Sequence, residues 1–244
     1  MSYPTHTQGR RFWFHENGTL KRVDTADLLL TLELAAVTTA VLLLIAIPLA
    51  GWIAFAHTRL RYLAEAIVAL PLILPPTVLG FYLLVGLGPT TAIGRVITKL
   101  LGHTLAFSFS GLVVGSILYS LPFAVQPIVA GLRAVDPAYL ETAATLGASP
   151  QRTFTRIALP LAKSSLLTAA VLTFTHTVGE FGVVLMLGGS IPGRTRTLSI
   201  ALYNLVENGD FNTANMLALL LLSFSTLALL LLYALPRFRR QQRA

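Results

Sequence analysis

Long apolar blocks alternate with short polar joints along this chain. The blocks run from about Leu28 to Ala56, Leu63 to Leu84, Leu105 to Ala130, Leu161 to Leu187 and Met216 to Leu235. A bilayer crossing takes roughly 20 apolar residues at ~1.5 Å rise each, so each block is long enough to span. The pattern predicts an all-α polytopic membrane protein with five spans. In the first block, Glu33 lies near the start, and Pro48 with Gly51 predicts a kink. The second contains "LPLILPPTVLGFYLL". Its Pro71, Pro75 and Pro76 predict a broken or bent helix whose freed carbonyls face protein or a water-filled path. Pro122 and Pro127 interrupt the third block. Ala92 to Leu101 is amphipathic and too short to span, and a further short helical piece is expected at about Leu198 to Leu205.

Composition supports the membrane reading. Hydrophobic residues make up 55% and charged residues 11% of the 244, against about 25% charged in soluble domains. The net charge of +8 would suit nucleic acid, but the basic residues sit at block ends instead of forming a stripe. No nucleic-acid partner is expected. There is no cysteine, so disulfides, thiolate nucleophiles and cysteine metal sites are excluded. Residues 1–27 read as a polar N-terminal extension, 28–236 as the transmembrane domain and 237–244 as a basic tail. No small-residue cleavage site follows the first block, so a signal peptide is not expected. Arg237, Arg239, Arg240 and Arg243 place the tail on the cytoplasmic side. Counting back puts 131–160 inside with Arg133, Arg152 and Arg156, and the 188–212 connection outside. The N-terminus then falls outside, against Arg10, Arg11, Lys21 and Arg22, so a sixth span or re-entrant segment stays open.

The inner connection, 136–159, is the least apolar part of the interior: "DPAYLETAATLGASPQRTFTRIAL". Asp136 and Pro137 make a helix start, Gly147 a stop, and Ser149 with Pro150 a second start. Two short helices in a hairpin outside the membrane follow. Ala144 and Ala148 on one side, with Ala143 and Gly147 beside them, would admit another surface closely. Local signals leave two readings open, an ordinary capped loop or a docking element.

The spacing resembles the EAA loop of ABC importer permeases: Glu-Ala-Ala, three residues, Gly, nine residues, Ile, one residue, Leu-Pro. Glu141, Ala143, Gly147, Ile157, Leu159 and Pro160 fall at the matching positions, with Thr142 in place of the first alanine and Ala144 following. "GEFG" and "IPGRTRTLSIALYN" further resemble the molybdate branch, which is similar to sulfate/thiosulfate and tungstate permeases. The resemblance implies a type I importer permease fold working as a homodimer in a bacterial or archaeal cytoplasmic membrane. It implies two copies of a separate cytoplasmic ATPase, which handle ATP and Mg, and an extracytoplasmic oxyanion-binding protein. The residues named above would couple to the ATPase, and no cofactor would be bound by this chain.

Candidate pathway residues are fewer. Pro75, Pro76 and Gly80 would permit gate bending or serve only packing. Glu180 lies about 20 residues beyond Pro160, roughly 30 Å along a helix, near the outer mouth. His176 is one turn below and within pairing distance. An acid in a span is a functional candidate by default, with a structural bond between helices as the alternative. Arg194 and Arg196 would attract anions, contact a binding protein, or be plain surface charges. Gly182, Gly188 and Gly189 suit close packing at the end of the fourth block. No histidine spacing suits a metal, no nucleophile–base spacing suits catalysis, and no phosphate loop is present. A secondary transporter would show paired mid-membrane acids and an internal repeat, and neither is clear.

Overall fold

The computed structural model describes residues 12–16 and 19–241. The first part of the N-terminal extension, with Arg10 and Arg11, and the end of the tail, with Arg243, lie outside the described residues. The elements are β1 (Phe12–Glu16), β2 (Thr19–Val23), α1 (Thr25–Phe55), α2 (Leu60–Ile73), α3 (Pro76–Gly86), α4 (Ala92–Leu101) and α5 (Phe109–Arg133). Then come α6 (Pro137–Thr145), α7 (Pro150–Thr153), a π turn (Phe154–Ala158), α8 (Leu159–Leu161), α9 (Lys163–Gly179), α10 (Gly182–Gly188), α11 (Leu198–Glu207) and α12 (Phe211–Gln241). Three helices, Thr25–Phe55, Phe109–Arg133 and Phe211–Ala234, are long and apolar enough to cross a membrane, and the number is five if each of two bent helix pairs is one span.

The bends have local causes. The pair Leu60–Ile73 and Pro76–Gly86 turns through 110°, because Pro75 and Pro76 donate no N–H and Pro75 holds Leu74 extended. The pair Pro150–Leu161 and Lys163–Gly179 turns through 71°. Its π turn, in which Leu159 N–H donates to Phe154 O, immediately precedes Pro160, whose ring excludes the ordinary bond and crowds the carbonyl four residues back. One expectation fails: α5 runs through Pro122 and Pro127 without interruption, as α1 runs through Pro48 and Gly51. Neighbouring helices bury Pro122 and much of these stretches, and packing holds each helix together across the missing bonds. The fourth block, expected to be continuous, breaks at Glu180–Phe181.

The body packs α1, α5 and α9 together, with α2 against α5 and α10 against both α3 and α5. One apolar cluster, with Leu42, Ile53, Ile128, Leu132 and Ala158, occupies the end nearest the hairpin. A second, with Leu30, Leu34, Leu112, Val184 and Ile200, occupies the far end. α12 leaves most of its apolar surface uncovered in the single chain.

Glycines set the closest approach. A Cβ at Gly80 would stand 2.7 Å from Met186 Cβ and 3.2 Å from Val183 Cα, and one at Gly182 would stand 2.6 Å from Pro76 Cβ. α3 and α10 therefore meet almost backbone to backbone. Gly80→Leu is expected to cost ~1–3 kcal/mol by overpacking. Gly86→Leu on the same helix has no atom within 4 Å of its Cβ, so its melting temperature should stay near wild type when the purified proteins are compared.

The β1–β2 hairpin was not expected. Its antiparallel register pairs Phe12 with Val23 and Glu16 with Thr19. The Asn17–Gly18 dipeptide between the strands is a strong hairpin signal.

Candidate functional site

The hairpin forms as its caps dictate. Asp136 accepts from Ala138 N–H at 2.9 Å, and Ser149 from Arg152 N–H at 3.3 Å. α6 ends in a Schellman turn: Gly147 N–H donates to Ala144 O and Ala148 N–H to Ala143 O, both at 3.0 Å. Gly147 takes a φ of +76°. Ala143 is buried, whereas Glu141, Thr142, Ala144 and Gly147 are exposed. The small-residue side therefore splits: Ala143 faces the body, and Ala144 faces away. Leu146 is 83% exposed at the tip, and Glu141 makes no ion pair among the described residues. Ile157 and Leu159 are half-buried and Pro160 is exposed beside the π turn.

Phe154, which sequence reasoning passed over, joins the hairpin to the body. Its ring lies where a Cβ of Gly51 would stand, 2.7 Å from its Cε2, and meets the Phe55 ring edge-on at 6.5 Å. Arg133 extends the connection, donating to Glu65 and, at 3.4 Å, to Ile53 O. Any displacement of the hairpin thus bears on the ends of α1, α2 and α5. In the sequence, Gly51 was visible only as a kink candidate. Its partner lies about 100 residues away.

At the far end the candidates separate. Pro76 and Gly80 come together with Gly182, Val183 and Met186 at the α3–α10 crossing, and Pro75 is exposed beside it. Gly188 packs against Leu112 and Thr195. Arg196 is engaged: Nε donates to Asp27 Oδ2 at 2.8 Å and an Nη to Asp24 Oδ2 at 3.5 Å. Arg194 is exposed and has no ion pair among the described residues. His176 and Glu180 do not pair. His176 Nδ1 bonds Ser120 Oγ at 2.9 Å, and its ring stacks on Phe123 at 4.0 Å. Glu180 is buried, and its carbonyl accepts from Ser199 Oγ. Among the described residues, no three acidic, histidine or cysteine side chains gather as a metal site.

Residues 32–241 match the family described as binding-protein-dependent transport system inner membrane component. The chain belongs to this family. As a family member it is a multi-pass membrane component of a transport system and not an enzyme. It is 50% identical over 221 residues to the molybdenum transport system permease protein ModB of Azotobacter vinelandii, covering 90% of this chain and 97% of that one. Against ModB of Escherichia coli K12 the identity is 35% over 183 residues, 75% and 80% of the two chains. The fold is shared with the inward-facing MetNI methionine ABC transporter, at a TM-score of 0.67 and 19% identity over 87% of this chain and 94% of that one. The type I ABC importer permease architecture expected from the EAA spacing is the one observed.

Proposed function

We propose that this family member is the membrane-spanning permease subunit of an ATP-driven importer that carries molybdate across the cytoplasmic membrane. The observation that carries the reading is 50% identity across nearly the whole of a molybdenum transport permease. The permease pairs with a second copy of itself and binds two copies of a cytoplasmic ATPase, where ATP and Mg are held. An extracytoplasmic binding protein delivers the oxyanion. The hairpin and the C-terminus face the cytoplasm.

The geometry supports a division of labour. A doubly charged oxyanion is costly in hydrocarbon, so it travels a water-filled path between two copies, open at one end at a time. The exposed face of α6, with Glu141, Thr142, Ala144 and Gly147, docks on the ATPase, while Ala143, Ile157, Leu159 and Pro160 hold α6 to the body. Movement enters α1 through the Phe154–Gly51 contact and α9 through the π turn and the 71° bend. The α3–α10 crossing at Pro75, Pro76, Gly80 and Gly182 follows as the far-end gate, beside His176 and Glu180. Arg194, exposed and without an ion pair among the described residues, attracts the anion or meets the binding protein.

The chain reconstituted in liposomes with its ATPase and binding protein should take up labelled molybdate with ATP, in preference to sulfate and tungstate. Uptake of another oxyanion would retain the machine and move the substrate. Uptake without ATP or the ATPase would overturn the importer reading.

A further inference from the structure

α4 is firmly held at the far end, yet most of its apolar face is uncovered. Thr91 caps its start, accepting from Gly94 N–H at 2.9 Å, and Gly102 closes its end with a φ of +75°. The helix is seated through Gly94, where a Cβ would stand 1.9 Å from Gly88 O. Ile93, Val96, Ile97 and Leu100 recur at the spacing of one helical face. Ile97 is half-buried, Ile93 and Val96 are exposed, and Leu100 is 79% exposed. Arg95 and Lys99 stand one turn apart on another edge of the helix. Both are exposed, and neither makes an ion pair among the described residues. No acid occurs from residue 66 to residue 135.

Between α4 and the first turns of α5 lies a groove of about 360–570 Å³ class size, its volume 570 Å³, where Ile97, Leu100 and Leu101 face Phe109, Val113 and Val114. Ser110 brings a hydroxyl to it, already bonded to His103 Nε2 at 3.0 Å and Ser108 Oγ at 2.9 Å. The groove therefore offers contact to hydrocarbon. α5 begins a membrane span at this point, so the groove opens at the level of the leaflet away from the hairpin. Phe107 stands at the same level with its ring exposed. Its φ is +59°, a strained value for a bulky residue, and its N–H donates to Leu187 O at 2.7 Å. The strain holds an aromatic ring outward at the end of a span, where aromatic side chains anchor membrane proteins.

The occupant of this surface must cover an apolar face and neutralise a cationic edge on one short helix. A phospholipid carries both complements in one molecule, with acyl chains for the groove and a phosphate for the edge. Two cations and no nearby acid in sequence select an anionic headgroup over a zwitterionic one. We propose that α4 lies in the interface of the leaflet away from the hairpin and binds an anionic phospholipid, an acyl chain in the groove against α5 and the phosphate on Arg95 and Lys99. The flexible stems of both side chains let their charged ends reach the headgroup layer while the apolar face stays in the acyl region. The site rests on the membrane-spanning fold and not on which substrate is carried.

The test uses the full complex in nanodiscs of mixed phosphatidylglycerol and phosphatidylcholine. In native mass spectrometry, wild type should retain more phosphatidylglycerol per copy than the Arg95→Gln, Lys99→Gln double variant. The affinity for that lipid should fall at least about fivefold in the double variant, the equivalent of ~1 kcal/mol, the attraction of one basic residue to an anionic surface. Arg95→Lys should keep the lipid. Equal retention by wild type and the double variant overturns the proposal. Because the chain has no cysteine, a nitroxide can be placed at a single position on it. A label at Leu100→Cys should be reached by oxygen dissolved in the hydrocarbon and shielded from an aqueous nickel chelate, and one at Lys99→Cys should be reached by the chelate. Spin–spin broadening between two copies at Leu100→Cys would give the face to a second copy. Chelate access there that ends when the binding protein is added would give it to that protein, and either result overturns the lipid site. All these substitutions fall at exposed positions, so assembly should be kept. Neither measurement requires transport, so a failure of the transport reading leaves both readable.

Discussion

Gly147→Val should cut ATP-dependent uptake at least about tenfold, the equivalent of ~1.4 kcal/mol, with membrane insertion and assembly unchanged. Gly147→Asn should keep most of it. The difference is conformational and not steric. Gly147 has a φ of +76°, and nothing lies within 4 Å of a Cβ built there. An L side chain in the left-handed region costs roughly 1–2 kcal/mol, more when β-branched, and asparagine bears it best. Valine would release the two Schellman bonds to Ala144 O and Ala143 O, and the tip with Leu146 would leave its position. Because Leu146 is 83% exposed, the body loses no packing and melting should barely move. The effect would appear as ATP turnover uncoupled from uptake in proteoliposomes. Equal uptake by the valine and asparagine variants would remove the turn from the coupling reading.

The sequence revealed most where a feature depends on neighbours along the chain. The five apolar blocks, the short α4 and α11, and the caps at Asp136, Gly147 and Ser149 all stand near their expected places, because span length and capping are local. The proline-broken second block was legible for the same reason. Features set by packing were not. Pro122 and Pro127 suggest an interruption, yet buried neighbours hold that helix whole. Glu180–Phe181 suggests none, yet the chain breaks there. The contact between α3 and α10 pairs Gly80 with Met186 and Pro76 with Gly182, residues about 100 positions apart with no local mark of their meeting. The Asn17–Gly18 turn signal was in plain view, within a stretch read only as a polar extension.

Arg196 shows how partnering decides a charge's role, and its removal should be the most destabilising change at the far end. Its Nε donates to Asp27 Oδ2 at 2.8 Å, and the Asp27 side chain is 3% exposed. Among the described residues, Asp27 Oδ1 has no hydrogen-bond partner. The same corner is tied by Leu198 N–H to Thr31 Oγ1 at 2.9 Å and by Thr31 Oγ1 donating to Asp27 O at 2.7 Å. Removing one partner of a buried pair costs roughly 3–5 kcal/mol, and the 24% exposure of the Arg196 side chain puts Arg196→Ala at the low end. At roughly 2–4 °C per kcal/mol for a chain of this size, the complex should melt several degrees lower. Asp27→Asn in the Arg196→Ala background should recover part of the loss, because a neutral amide leaves no uncompensated charge. Arg194→Ala, at an exposed position, should leave melting unchanged and lower uptake at limiting substrate. If Arg196→Ala instead melted like wild type and reduced uptake as Arg194→Ala does, the two arginines would act together on the anion and the Asp27 pair would have no structural weight.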